Sequence, residues 1–141
     1  MSRTSRKRRN SRGSTLLELS FIFLVFLCLL LGAFDFGQFL FIHQALVERA
    51  RFAARWGMTN SGATATEITN MVVYGQSTAG SNGYFGLTPS MVAVTFSNAN
   101  TWNWHVNILV SNYPYKMLSP YIAGTYTGPN INVSAPLGMY D

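Results

Sequence analysis

The stretch LSFIFLVFLCLLLGAF, residues 19–34, decides the fold, because sixteen successive residues carry no charge. Glu18 precedes it and Asp35 follows it, 17 positions apart. In a helix these two carboxylates would lie about 26 Å apart, close to the thickness of a bilayer's hydrocarbon core, about 30 Å. A spanning helix needs about 20 apolar residues, and the flanking STLL and FGQFLFIHQALV extend the stretch at both ends. We therefore predict a transmembrane segment at about residues 16–36, with Glu18 and Asp35 as membrane-edge acids, where a charge costs less than at the centre.

The basic residues are concentrated at the start of the chain. Six of the ten Lys and Arg residues fall within the first twelve positions, whereas residues 14–141 carry four basic and five acidic side chains. Such a run can bind nucleic acid, which would make this a soluble cytoplasmic DNA-binding protein. Beside a membrane span, Lys and Arg instead mark the cytoplasmic side. We therefore expect the N-terminus inside the cell, the C-terminal part outside, and no nucleic-acid partner.

One simpler interpretation of the apolar run, a cleaved secretory signal, is disfavoured. A cleaved secretory signal needs two small residues with one residue between them, but Ala33 is preceded two positions earlier by Leu31. Cys28, the single cysteine, excludes an intrachain disulfide and a cysteine-based metal site. We interpret Cys28 as a lipid-facing or packing residue.

A helical pattern continues beyond the apolar run to about Gly57, with apolar and small residues at three- and four-residue spacing. This stripe consists of Phe36, Phe39, Leu40, His43, Leu46, Val47, Ala50, Ala53, Ala54 and Gly57. The other sides are taken mostly by Gln38, Glu48, Arg49, Arg51 and Arg55. Residues 14–57 are thus predicted to form one helix, about 64 Å long from Ser14 to Trp56, whose outer half needs a cover from the C-terminal part or from neighbouring subunits. His43 is interpreted as a packing residue, and Glu48 is predicted to pair with Arg51.

A short motif precedes this helix. Gly13 ends the basic head, and the five residues after it end in Glu18. This order resembles that of type IV prepilins, in which a membrane aspartyl peptidase cuts after the glycine on the cytoplasmic face. The resemblance implies that residues 1–13 are a leader, that Ser14 is the new N-terminus and that Glu18 is the fifth mature residue.

The resemblance extends to one branch of these proteins. The step Asp35-Phe36-Gly37 and the helix exit ALVERARFAARWG (residues 45–57) resemble the TadE-like minor pilins (pseudopilins) of the tight-adherence (Tad/Flp) system. Leu19 follows the glutamate where the major pilin of that system has Tyr, which favours a minor subunit. The resemblance implies a structural role, with three kinds of partner: prepilin peptidase, other pilins and pseudopilins bound through the N-terminal helix, and an inner-membrane assembly platform.

Cleavage after Gly13 would supply Glu18 with a partner. The new α-amino group has a pKa of about 7.7–8.0 and would be largely charged near the membrane edge. Pilin families are thought to pair it with the fifth-residue carboxylate of a neighbouring subunit, and removing one member of such a pair leaves a charge uncompensated. Glu18 is therefore predicted to be an assembly residue. The alternative is an interfacial glutamate that only extends to the headgroups.

Residues 58–141 are predicted to form a small extracytoplasmic domain. Thr64 and Glu67 match a capping box that opens a helix ending at about Tyr74, with Ile68, Met71 and Val72 inward. The glycine-rich residues 75–89 are predicted to be a loop.

Three strands are predicted after this loop. MVAVTF (residues 91–96) and the alternating residues 102–110 look like a hairpin, and INVSA (residues 131–135) is a third strand. Laid against the outer half of the helix they predict an α+β, type IV pilin-like fold, in which a long N-terminal helix packs on a small antiparallel sheet. Trp102 and Trp104 are assigned to the core rather than to a sugar-binding face. The tyrosines of residues 112–121 are assigned to a loop on the sheet, with contact to the membrane interface or to a partner as the alternative.

Catalytic residue types are scarce in the outer domain, which has two acids, Glu67 and Asp141, and one histidine, His105. These residues assemble no catalytic triad, carboxylate pair or metal set. We therefore predict no enzyme and no cofactor. The predicted function is that of a structural minor pilin at the bacterial inner membrane, taking part in Tad-type pilus assembly and so in adhesion and surface colonisation. The alternative is a generic single-pass membrane-anchored protein whose outer domain binds a ligand or partner.

Overall fold

The computed structural model describes residues 12–60, 62–97, 104–117 and 124–136. Its first element, α1, is one helix of 48 residues, Arg12–Thr59, about 72 Å long at 1.5 Å per residue. The helix extends two residues beyond each end predicted from the sequence. At its C-terminus the Asn60 side chain donates a hydrogen bond of 2.8 Å to the carbonyl of Trp56, which satisfies one of the acceptors that a helix end leaves open.

The second helix, α2, comprises Ala65–Tyr74, and its predicted capping box is confirmed. The Thr64 hydroxyl accepts a hydrogen bond from the Glu67 amide (3.2 Å), and the Glu67 carboxylate accepts one from the Thr64 amide (2.8 Å). Donation from the Thr64 backbone, and then from its hydroxyl, lowers the pKa of the Glu67 carboxyl, because both bonds favour the charged form. Gly75 ends the helix in the left-handed region, at φ 77°. The predicted Ile68, Met71 and Val72 are buried, and so are Asn70 and Val73.

Three strands form an antiparallel sheet in the order β1-β2-β5. The strands in chain order are β1 (Val92–Ser97), β2 (His105–Val110), β3 (Pro114–Lys116), β4 (Thr125–Thr127) and β5 (Ile131–Pro136). In the register, Ile108 lies opposite Val94 on one side and opposite Val133 on the other. The predicted hairpin and third strand are confirmed. Trp104 lies half-buried just before β2, whereas Trp102 is outside the described residues.

The tyrosine-rich segment differs from the prediction of a loop. β3 and β4 pair antiparallel in a second, two-stranded sheet, with Tyr115 opposite Tyr126. Tyr113 and Tyr115 are 6 % and 2 % exposed, so these two rings do not reach the membrane interface, the alternative considered above. They are buried because aromatic side chains of α1 and of the same segment pack against them. Tyr121 lies outside the described residues.

The core lies between the outer half of α1, α2 and the three-stranded sheet. Small residues let these layers approach closely: a Cβ on Gly57 would meet Ile68 Cδ1 at 2.9 Å. Five residues of the predicted stripe are buried: Leu46, Ala50, Ala53, Ala54 and Gly57. Phe36 and Leu40 of the same stripe are 63 % and 41 % exposed in the single chain, because the face covered by the outer domain follows Asp35, Phe39 and Leu46.

The fold is the predicted α+β, pilin-like arrangement of a long N-terminal helix packed on a small antiparallel sheet. Most of the first half of α1 is exposed: its most apolar window of 18 residues has a mean hydropathy of 2.6, and none of that window is buried. The helix is long and apolar enough to cross a membrane, which is compatible with single-pass anchoring.

Candidate assembly helix and its membrane-proximal junction

The predicted processing residues lie on the first turns of α1. Ser14 and Glu18 are exposed, and a Cβ built on Gly13 would meet no atom within 4 Å. Glu18 lies four residues after Ser14, so its Cα is about 6 Å further along the same helix face. Within the described ranges the ion pair that forms is Arg51 with Glu48, at 2.9 Å as predicted, and Glu18 forms none there. The exposed Glu18 carboxylate is therefore accessible for pairing with a cationic group from outside the described part of the chain.

Asp35 contrasts with Glu18, because its side chain is only 5 % exposed. It lies on the covered face of α1, one turn before Phe39, and Leu31, one turn earlier, is half-buried. An isolated helix would leave such residues accessible to solvent, so the outer domain extends down α1 to the level of Asp35. The sequence predicted where this carboxylate lies along the helix but did not predict that it is buried.

Arg49 connects α1 to α2. The sequence pattern placed this residue among the polar side chains outside the apolar stripe and did not indicate this role. Its Nε donates to the carbonyl of Val72 (2.9 Å) and its Nη2 to the carbonyl of Met71 (3.3 Å). The guanidinium also lies 3.5 Å from the ring centroid of Tyr84. A cation at the C-terminal carbonyls of a helix complements the helix dipole. Arg49 therefore stabilises both α2 and the loop that carries Tyr84.

An aromatic junction joins α1 to β3 near the predicted bilayer edge. Phe39 packs on Tyr115 with ring centroids 4.6 Å apart, and Tyr115 packs edge-on against Tyr113 at 4.9 Å. His43 Nδ1 lies 3.1 Å from the Tyr115 hydroxyl, which agrees with its predicted packing role. Burial raises the pKa of both Tyr113 and Tyr115, and the neighbouring Tyr113 contributes further to the rise at Tyr115. The Tyr113 hydroxyl donates a 2.6 Å hydrogen bond to the carbonyl of Phe85.

The described residues offer little chemistry for catalysis. Among them, no group of three His, Cys, Asp or Glu side chains could hold a metal ion. Glu18 and Asp35 are about 26 Å apart along the helix, too far to act as a pair. A cleft of about 390 Å³ between α1 and β5 is lined by His43, Val47, Arg51 and residues 130–134, and it contains no carboxylate side chain.

Residues 13–55, which lie on the long helix, match the model of the family described as TadE-like protein. Over this helix the chain is similar to TadE-like proteins. The match with this family is partial. It covers less than a third of the chain and lies entirely within α1, so it includes Gly13, Ser14, Glu18 and Asp35. Neither a curated protein nor a solved structure matches the chain.

Proposed function

We propose that this TadE-like chain is a minor pilin (pseudopilin) that a prepilin peptidase trims after Gly13 and that then takes part in assembling a Tad-type pilus. The observation that carries the proposal is the TadE-like match of residues 13–55, which starts at Gly13 and continues along α1. The exposed position of Gly13 and Ser14 at the start of that helix agrees with access by a peptidase. The role is structural, in adhesion and surface colonisation, and it acts through contacts between helices.

Glu18 sets the axial position at which neighbouring helices contact each other. After cleavage, the Ser14 amine and the Glu18 carboxylate both lie at the cytoplasmic edge of the membrane. A neighbouring amine that pairs with this carboxylate offsets part of the desolvation of both groups, whereas a helix shifted out of register leaves two unpaired charges. The exposed Glu18 side chain, without a cationic partner in the described ranges, supports this proposal.

Orientation and location follow from the charges. The basic head of residues 1–12 remains in the cytoplasm, α1 crosses the inner membrane once, and residues 58–141 lie outside the cytoplasm. Asp35 then marks the outer edge of the hydrocarbon core. The partners are prepilin peptidase, other pilins and pseudopilins, and the inner-membrane assembly platform.

Mass spectrometry of the intact protein tests the proposal, using cells with and without prepilin peptidase. We expect the mass of residues 14–141 in the first and of the full chain in the second. Gly13→Leu should block trimming, whereas Gly32→Leu, a matched change at another open helix position, should not. A leader retained in both strains would contradict the proposal and favour the generic membrane-anchored binding protein. Recovery in the soluble fraction would favour the DNA-binding alternative.

A further inference from the structure

Two phenylalanine rings project together from the base of the outer domain. Phe41 of α1 and Phe85 of the loop between α2 and β1 contact each other edge to face, with centroids 6.1 Å apart. They are nevertheless 66 % and 45 % exposed. We propose that this pair, the aromatic foot, rests in the lipid headgroup layer and holds the outer domain against the bilayer surface. The proposal rests on the membrane anchorage of α1 described above.

The height of the foot fits the headgroup layer. Phe41 follows Asp35 by six residues, so its Cα lies about 9 Å above the predicted edge of the hydrocarbon core. Helical side chains lean towards the N-terminus of their helix, which places the Phe41 ring lower, over the preceding turn. The headgroup region on each side is about 5–8 Å thick, and aromatic side chains are enriched there.

The outer domain begins at the same level. Burial of Asp35 and half-burial of Leu31 mean that the domain extends down α1 to the predicted bilayer edge without an intervening stalk. Its underside must therefore face lipid headgroups. Lys116, the only basic residue after Arg55 in the sequence, is exposed and follows Tyr115, which contacts α1 at the level of Phe39 and His43. An exposed lysine at this height is placed to attract lipid phosphates.

The loop that carries Phe85 is built to present an exposed ring. Phe85 has φ 53°, a left-handed conformation that bulky residues rarely adopt. It is held there by the Tyr113 hydroxyl on its carbonyl, while Arg49 stacks on the preceding Tyr84. A Cβ on Gly83 would overlap the Leu87 carbonyl oxygen, so the loop closes tightly at its base. Backbone strain that is held in place by such contacts is typical of functional positions, and here it fixes an apolar ring that remains 45 % exposed.

The experiment places one para-fluorophenylalanine at a time at position 26, 41, 52 or 85 of the full chain, each natively a phenylalanine. The protein is reconstituted into phosphatidylethanolamine and phosphatidylglycerol nanodiscs, and ¹⁹F line broadening is measured with a nitroxide on the headgroup or near the end of the acyl chain. We expect the headgroup nitroxide to broaden positions 41 and 85 most strongly. The deep nitroxide should broaden position 26 most strongly. Position 52, about 26 Å above Asp35, should be broadened least by both.

Position 85 decides the proposal, because its height depends on how the outer domain sits rather than on α1 alone. A signal at position 85 broadened no more than that at position 52 would overturn the aromatic foot while leaving the anchorage intact. A signal at position 26 that the deep nitroxide leaves sharp would instead show that α1 does not span the bilayer. Phe41→Ser should reduce the headgroup broadening at position 85, whereas Phe52→Ser, the matched control on the outer half of α1, should not. An equal effect of both substitutions would contradict a joint role of the two rings.

Discussion

Replacing Arg49 by methionine removes a charge from the α1–α2 contact while keeping much of the aliphatic stem. The change deletes hydrogen bonds of 2.9 and 3.3 Å to the carbonyls of Val72 and Met71, and the 3.5 Å contact with the Tyr84 ring. Hydrogen bonds from a charged donor contribute about 1.5–3 kcal/mol each, and the longer one counts for less. The contact with the half-exposed ring adds about 0.5–1 kcal/mol. We predict that Arg49→Met lowers the free energy of unfolding of the outer domain by about 2–4 kcal/mol.

Near-UV circular dichroism of the full chain in detergent measures this change, since the aromatic residues of the outer domain report its packing and the helix in the micelle contributes little. A loss of 1 kcal/mol lowers the unfolding midpoint of a domain of this size by about 4–8 °C, so we expect a decrease of at least about 8 °C. Arg55→Met is the matched control: Arg55 is exposed on the same helix, and its side chain makes no hydrogen bond or ion pair within the described ranges. It should change the stability by less than about 0.5 kcal/mol. Equal decreases for the two variants would refute the proposed role of Arg49.

Three further predictions concern the loop, the cap and the buried tyrosines. Tyr113→Phe should destabilise the outer domain by about 1 kcal/mol and speed amide hydrogen exchange in the loop that its hydroxyl holds, whereas Tyr126→Phe, at an exposed ring, should do neither. Gly83→Ala should lower stability by at least about 1–3 kcal/mol because its Cβ overlaps a carbonyl oxygen, whereas Gly37→Ala, at an open helix position, should be tolerated; equal unfolding midpoints would contradict the overlap. The pKa of the Glu67 carboxyl is lowered in the folded state. The cap therefore stabilises the fold fully at pH values above the unfolded-state pKa of about 4.3, and this stabilisation is lost as the pH falls through the folded-state pKa. The tyrosine pKa values are raised, so their contribution is complete below about pH 10 and is lost as the pH rises further. Unfolding midpoints between pH 3 and 7 for Glu67→Gln, and between pH 9 and 11 for Tyr113→Phe, should depend less on pH than those of the unmodified chain, and unchanged pH profiles would contradict these assignments.

The elements predicted correctly are those whose signals are local. Thr64 and Glu67 are three residues apart, and a capping box needs nothing beyond that spacing. The alternation in β2 likewise identifies its buried face without reference to its partners. The position of Glu18 relative to Gly13 is also a local pattern, and the processing site named from it stays a prediction.

The features missed depend on contacts between distant segments. Arg49 resembles its exposed neighbours Arg51 and Arg55 in the sequence, and only the end of α2, more than 20 residues away, distinguishes it. Asp35 was located along the helix, but its burial depends on how far down the outer domain extends. β3 and β4 have three residues each, too few for a reliable alternation. The exposed ring of Phe85 depends on a backbone angle that no sequence pattern indicated.

The unbroken course of α1 has a mechanical consequence. Transmembrane helices tilt by about 20° on average, and α1 has no proline that could absorb the tilt at the membrane surface. The segment from Asp35 to Thr59 forms a lever about 36 Å long, so that tilt would carry its outer end sideways by about 12 Å. Phe85 lies to one side of the helix axis. Its contact with the headgroups would therefore oppose tilting of α1 towards that side only. The tilt of α1 in the bilayer would then determine the direction, around the helix axis, in which the outer domain faces a neighbouring subunit.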